Sequence, residues 1–154
     1  MYRHLMIMLL CISTVCFANE PTKAVFEDQE IACLTTAIVR EAPNESDIGK
    51  LAVATVVINR THYKEFASSI CGVVYQRNVK GCQFSWVCVK HLPALDSALY
   101  AKVHQIARSV VVEGKRLSSI KNALYFCTTT INPHWDHVKL VQTIGNHAFY
   151  VAVR

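Results

Sequence analysis

The feature that most constrains this fold is an apolar helical stripe that ends in an acid just before a proline. Ile31, Leu34 and Ile38 recur at spacings of three and four residues, and Glu41 is the next position on that face. This spacing predicts a helix whose buried side carries the carboxyl group of Glu41. Pro43 ends the helix, because the residue before a proline is pushed out of the helical region. We therefore expect one carboxylate at the carboxyl end of a helix, facing the core or a cleft.

The position of Glu41 has two interpretations. A carboxylate on an apolar face loses hydration, which raises its pKa towards the value that a general acid needs near neutral pH. Alternatively, Glu41 is an ordinary helix-terminal residue that reaches solvent or pairs with Arg40. This stretch alone favours the ordinary interpretation, so the decision rests on the rest of the chain.

Two helices are predicted around this acid. The first runs from near Glu27 to the proline turn, after an extended lead-in. Residues 51–58 are rich in β-branched side chains and fit a buried strand as well as a helix. We favour a helix from Asp47 to about Arg60, because its apolar residues follow one face, and expect it to support the helix that carries Glu41.

The remaining chain predicts one more long helix and a small sheet. Residues 69–76 suggest a short helix or turn, and Pro93 and Gly114 bound a periodic helical segment. A turn at Gly145-Asn146 is typical of a β-hairpin. Strands are expected over 123–131, 139–144 and 147–153. Helices followed by a small antiparallel sheet near the C-terminus indicate the α+β class, mainly helical.

The first 18 residues have the composition of a secretory signal peptide. A short basic start precedes an apolar run over residues 5–17, and Ala18 is a small residue at the expected cleavage point. The run is shorter than the roughly 20 apolar residues of a membrane-spanning helix, although an uncleaved anchor is an alternative. A lipoprotein attached through Cys16 is a lesser alternative. We expect residues 19–154 to form one exported domain, in the periplasm or outside the cell.

The charge of the chain is mildly basic and evenly spread. Its formal net charge is +5, and no run of basic residues concentrates it. Nucleic-acid-binding proteins usually show a clustered basic footprint, so nucleic acid is excluded as a partner. Diffuse positive charge suits an anionic polymer such as the bacterial wall. No membrane partner is expected beyond the signal segment, and the sequence does not indicate an oligomeric state.

Five of the seven cysteines follow the signal segment, and exported proteins can form disulfides. Cys82 and Cys88 enclose a loop short enough for a bridge, and we expect this pair to be bonded. An odd number leaves at least one thiol free or paired between molecules, with the partners of Cys33, Cys71 and Cys127 left open. Metal-ligand spacings such as Cys-x-x-Cys are missing from the sequence, so neither a zinc site nor a cofactor is expected.

A carboxylic acid with a raised pKa suits cleavage of a glycosidic bond, because it can protonate the leaving oxygen. The usual scheme needs a second carboxylate, and Glu45 and Asp47 are near in sequence, in a turn where they can instead bind backbone N–H groups. Alternatively, the C6 hydroxyl of a muramic acid attacks its own anomeric carbon. That reaction is a lytic transglycosylase reaction and needs one acid, whereas a muramidase uses water.

Aromatic and amide side chains of the later loops can bind a sugar chain, although each aromatic taken singly fits a core position as well. Two functions other than glycan cleavage remain as alternatives. One is an amidase in which Cys127 is paired with His134, His137 or His147; the other is a wall-binding protein without catalysis. The candidate substrate-binding residues are Glu45, Gln83, Phe84, Ser85, Tyr125, Asn132, Trp135 and His147.

Several pieces of the chain, in order, resemble the SleB-like cell wall hydrolases, the family that includes the spore cortex-lytic enzymes. The match covers about residues 30–150. The pieces are Ala-Ile-Val-Arg-Glu-Ala at 37–42, Ala-Thr-Val-Val-Ile-Asn-Arg at 54–60, Cys-Gln-Phe-Ser-Trp at 82–86, Ala-Leu-Tyr-Phe at 123–126, Asn-Pro-His-Trp at 132–135 and Ile-Gly-Asn-His-Ala-Phe-Tyr at 144–150.

The resemblance implies a lysozyme-related fold and a single catalytic domain that acts on the glycan strands of peptidoglycan. It implies that Glu41 is the catalytic acid and favours a lytic transglycosylase. The Gln83 to Ser85 and Gly145 to His147 pieces correspond to groove or support positions. Many relatives have the sequence Glu-Ala-Arg-Gly-Glu, and this chain has Pro43 and Asn44 at its third and fourth positions. The turn is therefore different, but Glu45 aligns with the second acid of the motif.

Overall fold

The structure is a computed structural model that describes residues 22–79 and 81–153, so the signal peptide expected over 1–18 lies outside the described residues. The described helices are α1 (Lys23–Glu41), α2 (Asp47–Arg60), α3 (Ile70–Val74) and α4 (Ser97–Val111). The described strands are β1 (Arg77–Asn78), β2 (Gly81–Cys82), β3 (Tyr125–Thr128), β4 (Val138–Ile144) and β5 (His147–Ala152). This architecture confirms the α+β class.

Helix α2 is the centre of the fold. Every residue from Gly49 to Arg60 is buried, because the helix packs against the other helices on one side and against the sheet on the other. Its inner face joins a core with α1, α3 and α4, while Ala52 and Val56 pack with Phe149 of the sheet. The helix prediction for this segment is confirmed and the strand alternative is wrong.

Two predicted helix starts need correction. Helix α1 begins at Lys23 rather than near Glu27, because the Phe26 N–H donates to Thr22 O at 3.1 Å and closes an earlier turn. Helix α4 begins at Ser97 rather than at Pro93, because the Asp96 carboxylate accepts a hydrogen bond from Leu99 N at 2.6 Å and caps the helix there.

The main sheet has the strand order β3-β5-β4, with both pairs antiparallel. Strand β3 is therefore an edge strand, and its Tyr125 pairs with Tyr150 of β5. The predicted hairpin between β4 and β5 is confirmed, with Gly145 at a φ of +56° in its turn. Strand β3 is shorter than the predicted strand over 123–131, and the small β1–β2 pair was not predicted.

Two disulfides hold the loops to this frame. The expected Cys82–Cys88 bond closes the segment between them and is called the loop disulfide. The second, Cys33–Cys71, joins α1 to α3 and is called the α1–α3 disulfide. Cys127 is the free cysteine of the described residues. None of the helices described over 22–79 and 81–153 is long and apolar enough to cross a membrane.

The carboxyl end of α2 is tied to the start of β3. Asn59 Nδ2 donates to Ile120 O at 3.2 Å and to Ala123 O at 2.8 Å, and both partners lie in the segment that leads into the strand. Because Asn59 is itself buried, these bonds satisfy a side chain that would otherwise be costly in the core. The edge strand is thus fixed beside the ends of α1 and α2.

Candidate active site

Glu41 is the last residue of α1 and lies between two adjoining cavities. One, of about 250 Å³, is lined by Glu41 together with Arg60, Gln83, Ser85 and Phe126, among others. The other, of about 180 Å³, is lined by Glu41 together with Asn44, Glu45, Thr128, Asn146 and His147, among others. We call them the loop-side cavity and the turn-side cavity. The carboxyl group predicted from the apolar stripe therefore lies in a concave surface.

The half-buried carboxyl group of Glu41 has a raised pKa. Burial is the main cause, because it disfavours the charged form. The indole of Trp86 and the positive charge of Arg60 act in the opposite direction and moderate the rise. Trp86 Nε1 is buried and makes no hydrogen bond of ordinary geometry within the described residues, so its N–H remains available near the acid. Glu41 can thus hold a proton and can also be stabilised after losing it.

Arg60 is the buried cation of this site. Its Nε donates to Leu124 O at 2.9 Å, and its guanidinium lies 5.2 Å from the ring centres of both Phe66 and Phe84. Burial lowers the pKa of Arg60 to about 10, while the nearby Glu41 raises it, so the group stays charged at neutral pH. A fixed positive charge next to Glu41 stabilises the carboxylate when the acid has given up its proton.

The loop disulfide places Gln83 and Ser85 beside Glu41 in the loop-side cavity. Gln83 N donates to Gln76 O at 3.0 Å, which anchors the start of the loop. Phe84 also lines this cavity, but it is only 3% exposed and its ring packs against the guanidinium of Arg60. The structure thus brings Gln83, Phe84 and Ser85 together at one cavity, and Phe84 also supports Arg60.

Glu45 connects the turn after α1 to the β4–β5 hairpin. Its carboxylate accepts a hydrogen bond from Asn146 N at 3.2 Å and lies 3.7 Å from His147 Nδ1. A Cβ on Gly145 would lie 1.8 Å from Glu45 Oε2, so only glycine allows this approach. Helix α2 is capped by Ser46, whose Oγ accepts a hydrogen bond from Gly49 N. The backbone N–H that Glu45 binds lies in the hairpin and not in its own turn. The side chain of Glu45 is only 7% exposed and is held by its contacts with the hairpin.

His147 lines the turn-side cavity and is 5% exposed. Its ring meets Phe126 edge to face with centroids 5.4 Å apart. Burial lowers the pKa of His147, and the carboxylate of Glu45 opposes that change. The imidazole is therefore neutral at neutral pH, and His147 packs Glu45 against the sheet.

Other predicted site residues do not line the two cavities around Glu41. Tyr125 and Trp135 line a third cavity, of about 430 Å³, which we call the aromatic cavity. Asn132 lies exposed in the loop between β3 and β4 and does not line either cavity around Glu41. Cys127 Sγ lies 3.9 Å from Ile131 O and 4.0 Å from the Tyr150 hydroxyl, so its contacts include no histidine among the described residues. This arrangement gives a thiol nucleophile no base.

No group of three or more His, Cys, Asp or Glu within residues 22–79 and 81–153 is arranged to hold a metal ion. The residue that sequence reasoning missed is Arg60, which was interpreted only as a helix end. A signal was present, since a charged residue closes a helix whose preceding seven residues are all uncharged. A cation at the end of such a buried segment needs a specific environment.

The sequence of this chain is similar to those of known cell wall hydrolases. The profile of a family described as Cell Wall Hydrolase matches residues 44–150. The chain is 25% identical over 128 residues to the spore cortex-lytic enzyme of Bacillus subtilis, covering 80% of this chain and 38% of that protein. It is 23% identical over 129 residues to the spore cortex-lytic enzyme of Halalkalibacterium halodurans, covering 82% and 36%. The chain thus spans less than two-fifths of the length of these relatives.

Solved structures share the fold. The catalytic domain of the Bacillus cereus SleB protein matches with a TM-score of 0.60 and 22% identity, over 79% of this chain and 89% of that one. The catalytic domain of the germination-specific lytic transglycosylase SleB from Bacillus anthracis matches with a TM-score of 0.58 and 24% identity, over 78% and 92%. The lysozyme-related α+β fold implied by the sequence pieces is confirmed. Since the family profile matches more than half of the residues, the chain belongs to the cell wall hydrolase family.

Proposed function

We propose that this protein cleaves the glycan strands of peptidoglycan as a lytic transglycosylase, with Glu41 as general acid and then general base. The observation that carries the proposal is a single half-buried carboxyl group with a raised pKa, placed between two adjoining cavities. The names of the relatives agree with it, since they include cortex-lytic enzymes and a lytic transglycosylase.

The chemistry needs one proton and no water. Protonated Glu41 donates to the glycosidic oxygen as the bond to the anomeric carbon of a muramic acid breaks. The C6 hydroxyl of the same sugar attacks that carbon and closes an anhydro ring. Its proton passes to the carboxylate of Glu41, which restores the starting acid. The charge of Arg60 stabilises the carboxylate between the two transfers.

The position of Glu45 favours this one-acid route. Hydrolysis by water normally uses a second carboxylate that activates the nucleophile or forms a covalent intermediate. Glu45 is the acid next to Glu41 in the turn-side cavity, but its carboxylate is buried and binds Asn146 N. A muramidase in which Glu45 activates water is the second candidate, because both acids line that cavity.

Replacing the proposed acid tests the function. Glu41→Gln keeps the shape of the side chain and removes its proton, so release of muropeptides from purified cell walls should fall at least 100-fold, the range typical of general acid catalysis. Glu113→Gln is the matched control, since this acid is exposed and pairs only with Arg108 at 3.6 Å. Glu41→Gln protein that cleaved walls at the parent rate would overturn the proposal.

The same assay separates the other classes of function. A wall-binding protein without catalysis would sediment with peptidoglycan and release no muropeptide in its parent form. A thiol amidase would lose activity when Cys127 is replaced by alanine, a change that the glycan-cleaving mechanism tolerates. We also propose that the protein is exported to the periplasm or the cell exterior, where two disulfides are stable.

A further inference from the structure

The aromatic cavity is the largest of the three cavities described above and holds none of the proposed catalytic groups. It lies between the sheet and the loop that joins β3 to β4. Its walls combine two aromatic rings with ionisable and apolar side chains: Tyr125, Trp135, His134, Asp136, His137 and Val153. Its volume of about 430 Å³ is within the range of small-molecule sites, about 300–1,000 Å³.

We propose that this cavity is a distal subsite for the glycan strand. It binds an N-acetylhexosamine that lies several ångströms along the glycan from the bond that is cut. The inference rests on the proposed function, because it names a second place where the same polymer is held. It assigns Trp135 to substrate binding away from the reacting atoms.

The indole of Trp135 is positioned to pack against a sugar ring. Trp135 is 43% exposed. Its ring centre lies 5.6 Å from that of Tyr150, with an interplanar angle of 77°, and 6.0 Å from that of Tyr125, with an interplanar angle of 54°. The two tyrosines hold the indole, so little freedom is lost when a ligand packs on its open side. The C–H faces of a sugar are apolar and fit such an aromatic surface.

The other walls match an acetamido sugar. Asp136 and the histidines at 134 and 137 supply donors and acceptors for hydroxyl and amide groups. Val138, Ala152 and Val153 supply an apolar surface for the acetyl methyl group. A stem peptide, with several carboxylates, would meet an acidic residue and no lysine or arginine among the described lining residues.

Strand β3 connects this cavity to Glu41. Tyr125 lines the aromatic cavity, Phe126 lines the loop-side cavity and Thr128 lines the turn-side cavity. Successive side chains of a strand point to opposite faces, so Tyr125 lies on the opposite face of the sheet from Phe126 and Thr128, and the two faces meet at the edge that β3 forms. Because Tyr125 and Phe126 are neighbours and a strand rises about 3.3 Å per residue, a polymer that passes over this edge reaches both the acid and Trp135.

The loop that carries Trp135 is fixed in place. His137 has a φ of +61°, a conformation that few residues other than glycine adopt. Its carbonyl oxygen accepts a hydrogen bond from Val153 N at 2.8 Å, which pins the end of the loop to the chain after β5. Unusual backbone held by the surrounding structure is concentrated at functional sites.

Fluorescence titration tests the subsite without relying on catalysis. The chain has two tryptophans, so comparison of Glu41→Gln protein with Glu41→Gln/Trp135→Phe protein assigns the signal of Trp135. The probe is the soluble tetramer of N-acetylglucosamine. We expect saturable quenching in the first protein and a clearly smaller change, from Trp86 alone, in the second. Trp135→Ala should weaken tetramer binding measured by calorimetry roughly tenfold, the size of a lost aromatic contact.

Phe26→Ala is the matched control, because Phe26 is 50% exposed at the opposite end of α1 from Glu41. It should bind the tetramer as the parent does. Equal quenching in both Glu41→Gln proteins, no quenching in either, or unchanged affinity in Trp135→Ala would overturn the subsite. Binding only to fragments that carry stem peptides would also overturn it. Failure of the catalytic proposal is detected separately, by muropeptide release from Glu41→Gln protein.

Discussion

Gly145 is the position where one added methyl group should disturb the site most clearly. A Cβ there would lie 1.8 Å from Glu45 Oε2, and the residue has a φ of +56°. Gly145→Ala therefore forces Glu45 away from the hairpin turn and places alanine in a left-handed conformation. The carboxylate then loses its hydrogen bond from Asn146 N, which joins segments 101 residues apart.

The two effects have separable sizes. The left-handed conformation costs alanine about 1 kcal/mol. Loss of a hydrogen bond to a charged acceptor costs about 1.5–3 kcal/mol, so Gly145→Ala should lower the free energy of unfolding by about 2.5–4 kcal/mol. Gly114→Ala is the control, since its φ is +72° and a Cβ there would meet no atom within 4 Å. It should lose only about 1 kcal/mol.

Urea unfolding with the disulfides intact, followed by tryptophan fluorescence, measures both variants. In a Glu45→Ala background the clash is gone, so Gly145→Ala should then cost about as much as Gly114→Ala, about 1 kcal/mol. Equal losses for the two glycine variants in the parent background would refute the reasoning, because the contact with Glu45 would then contribute nothing. The slope of the unfolding free energy against urea concentration must be the same for all the proteins for these differences to be valid.

Three further predictions concern charge and cross-links. Arg60→Met removes the cation that lowers the pKa of Glu41, so the alkaline limb of muropeptide release should move to higher pH; an unmoved limb contradicts this. Because burial raises the pKa of Glu41, its stabilising contribution is present below the unfolded pKa and lost as pH rises through the folded value. Glu41→Gln should therefore gain in Tm relative to the parent as pH rises, and a constant difference would count against the burial argument. Removing the α1–α3 disulfide, with a sequence separation of 38, should cost about 4 kcal/mol in urea unfolding, against about 2 kcal/mol for the loop disulfide with a separation of 6; equal losses would contradict that ordering.

Local patterns predicted the elements whose causes are local. Helix α2 has the predicted bounds, because Ser46 caps it and its apolar residues repeat within the helix itself. The Gly145-Asn146 turn was recognised from two residues. The α1–α3 disulfide was not predicted, because pairing of Cys33 with Cys71 depends on how two helices pack and not on the spacing of the cysteines.

The candidate site shows the same difference between features with local causes and features that depend on long-range packing. The buried side of its own helix predicted where the carboxyl group of Glu41 lies, and the structure places that group in a concave surface. The environment of Arg60 was missed because its partners come from separate segments, at Phe66, Phe84 and Leu124. Glu45 binds a backbone N–H, as one of its two interpretations predicted, but this partner lies in a hairpin 101 residues further along the chain. Contacts between segments that are distant in sequence depend on the folded structure, so local sequence patterns do not predict them.

The central claim is that the sugar itself, and not water, replaces the broken bond. Cell walls digested with the parent protein in water enriched in oxygen-18 test it directly, with mass spectrometry of the released muropeptides. A lytic transglycosylase predicts anhydro-muramic ends that carry no oxygen-18. Reducing ends that carry the heavy isotope at the new anomeric hydroxyl would contradict the account and show that the enzyme hydrolyses the glycan with water.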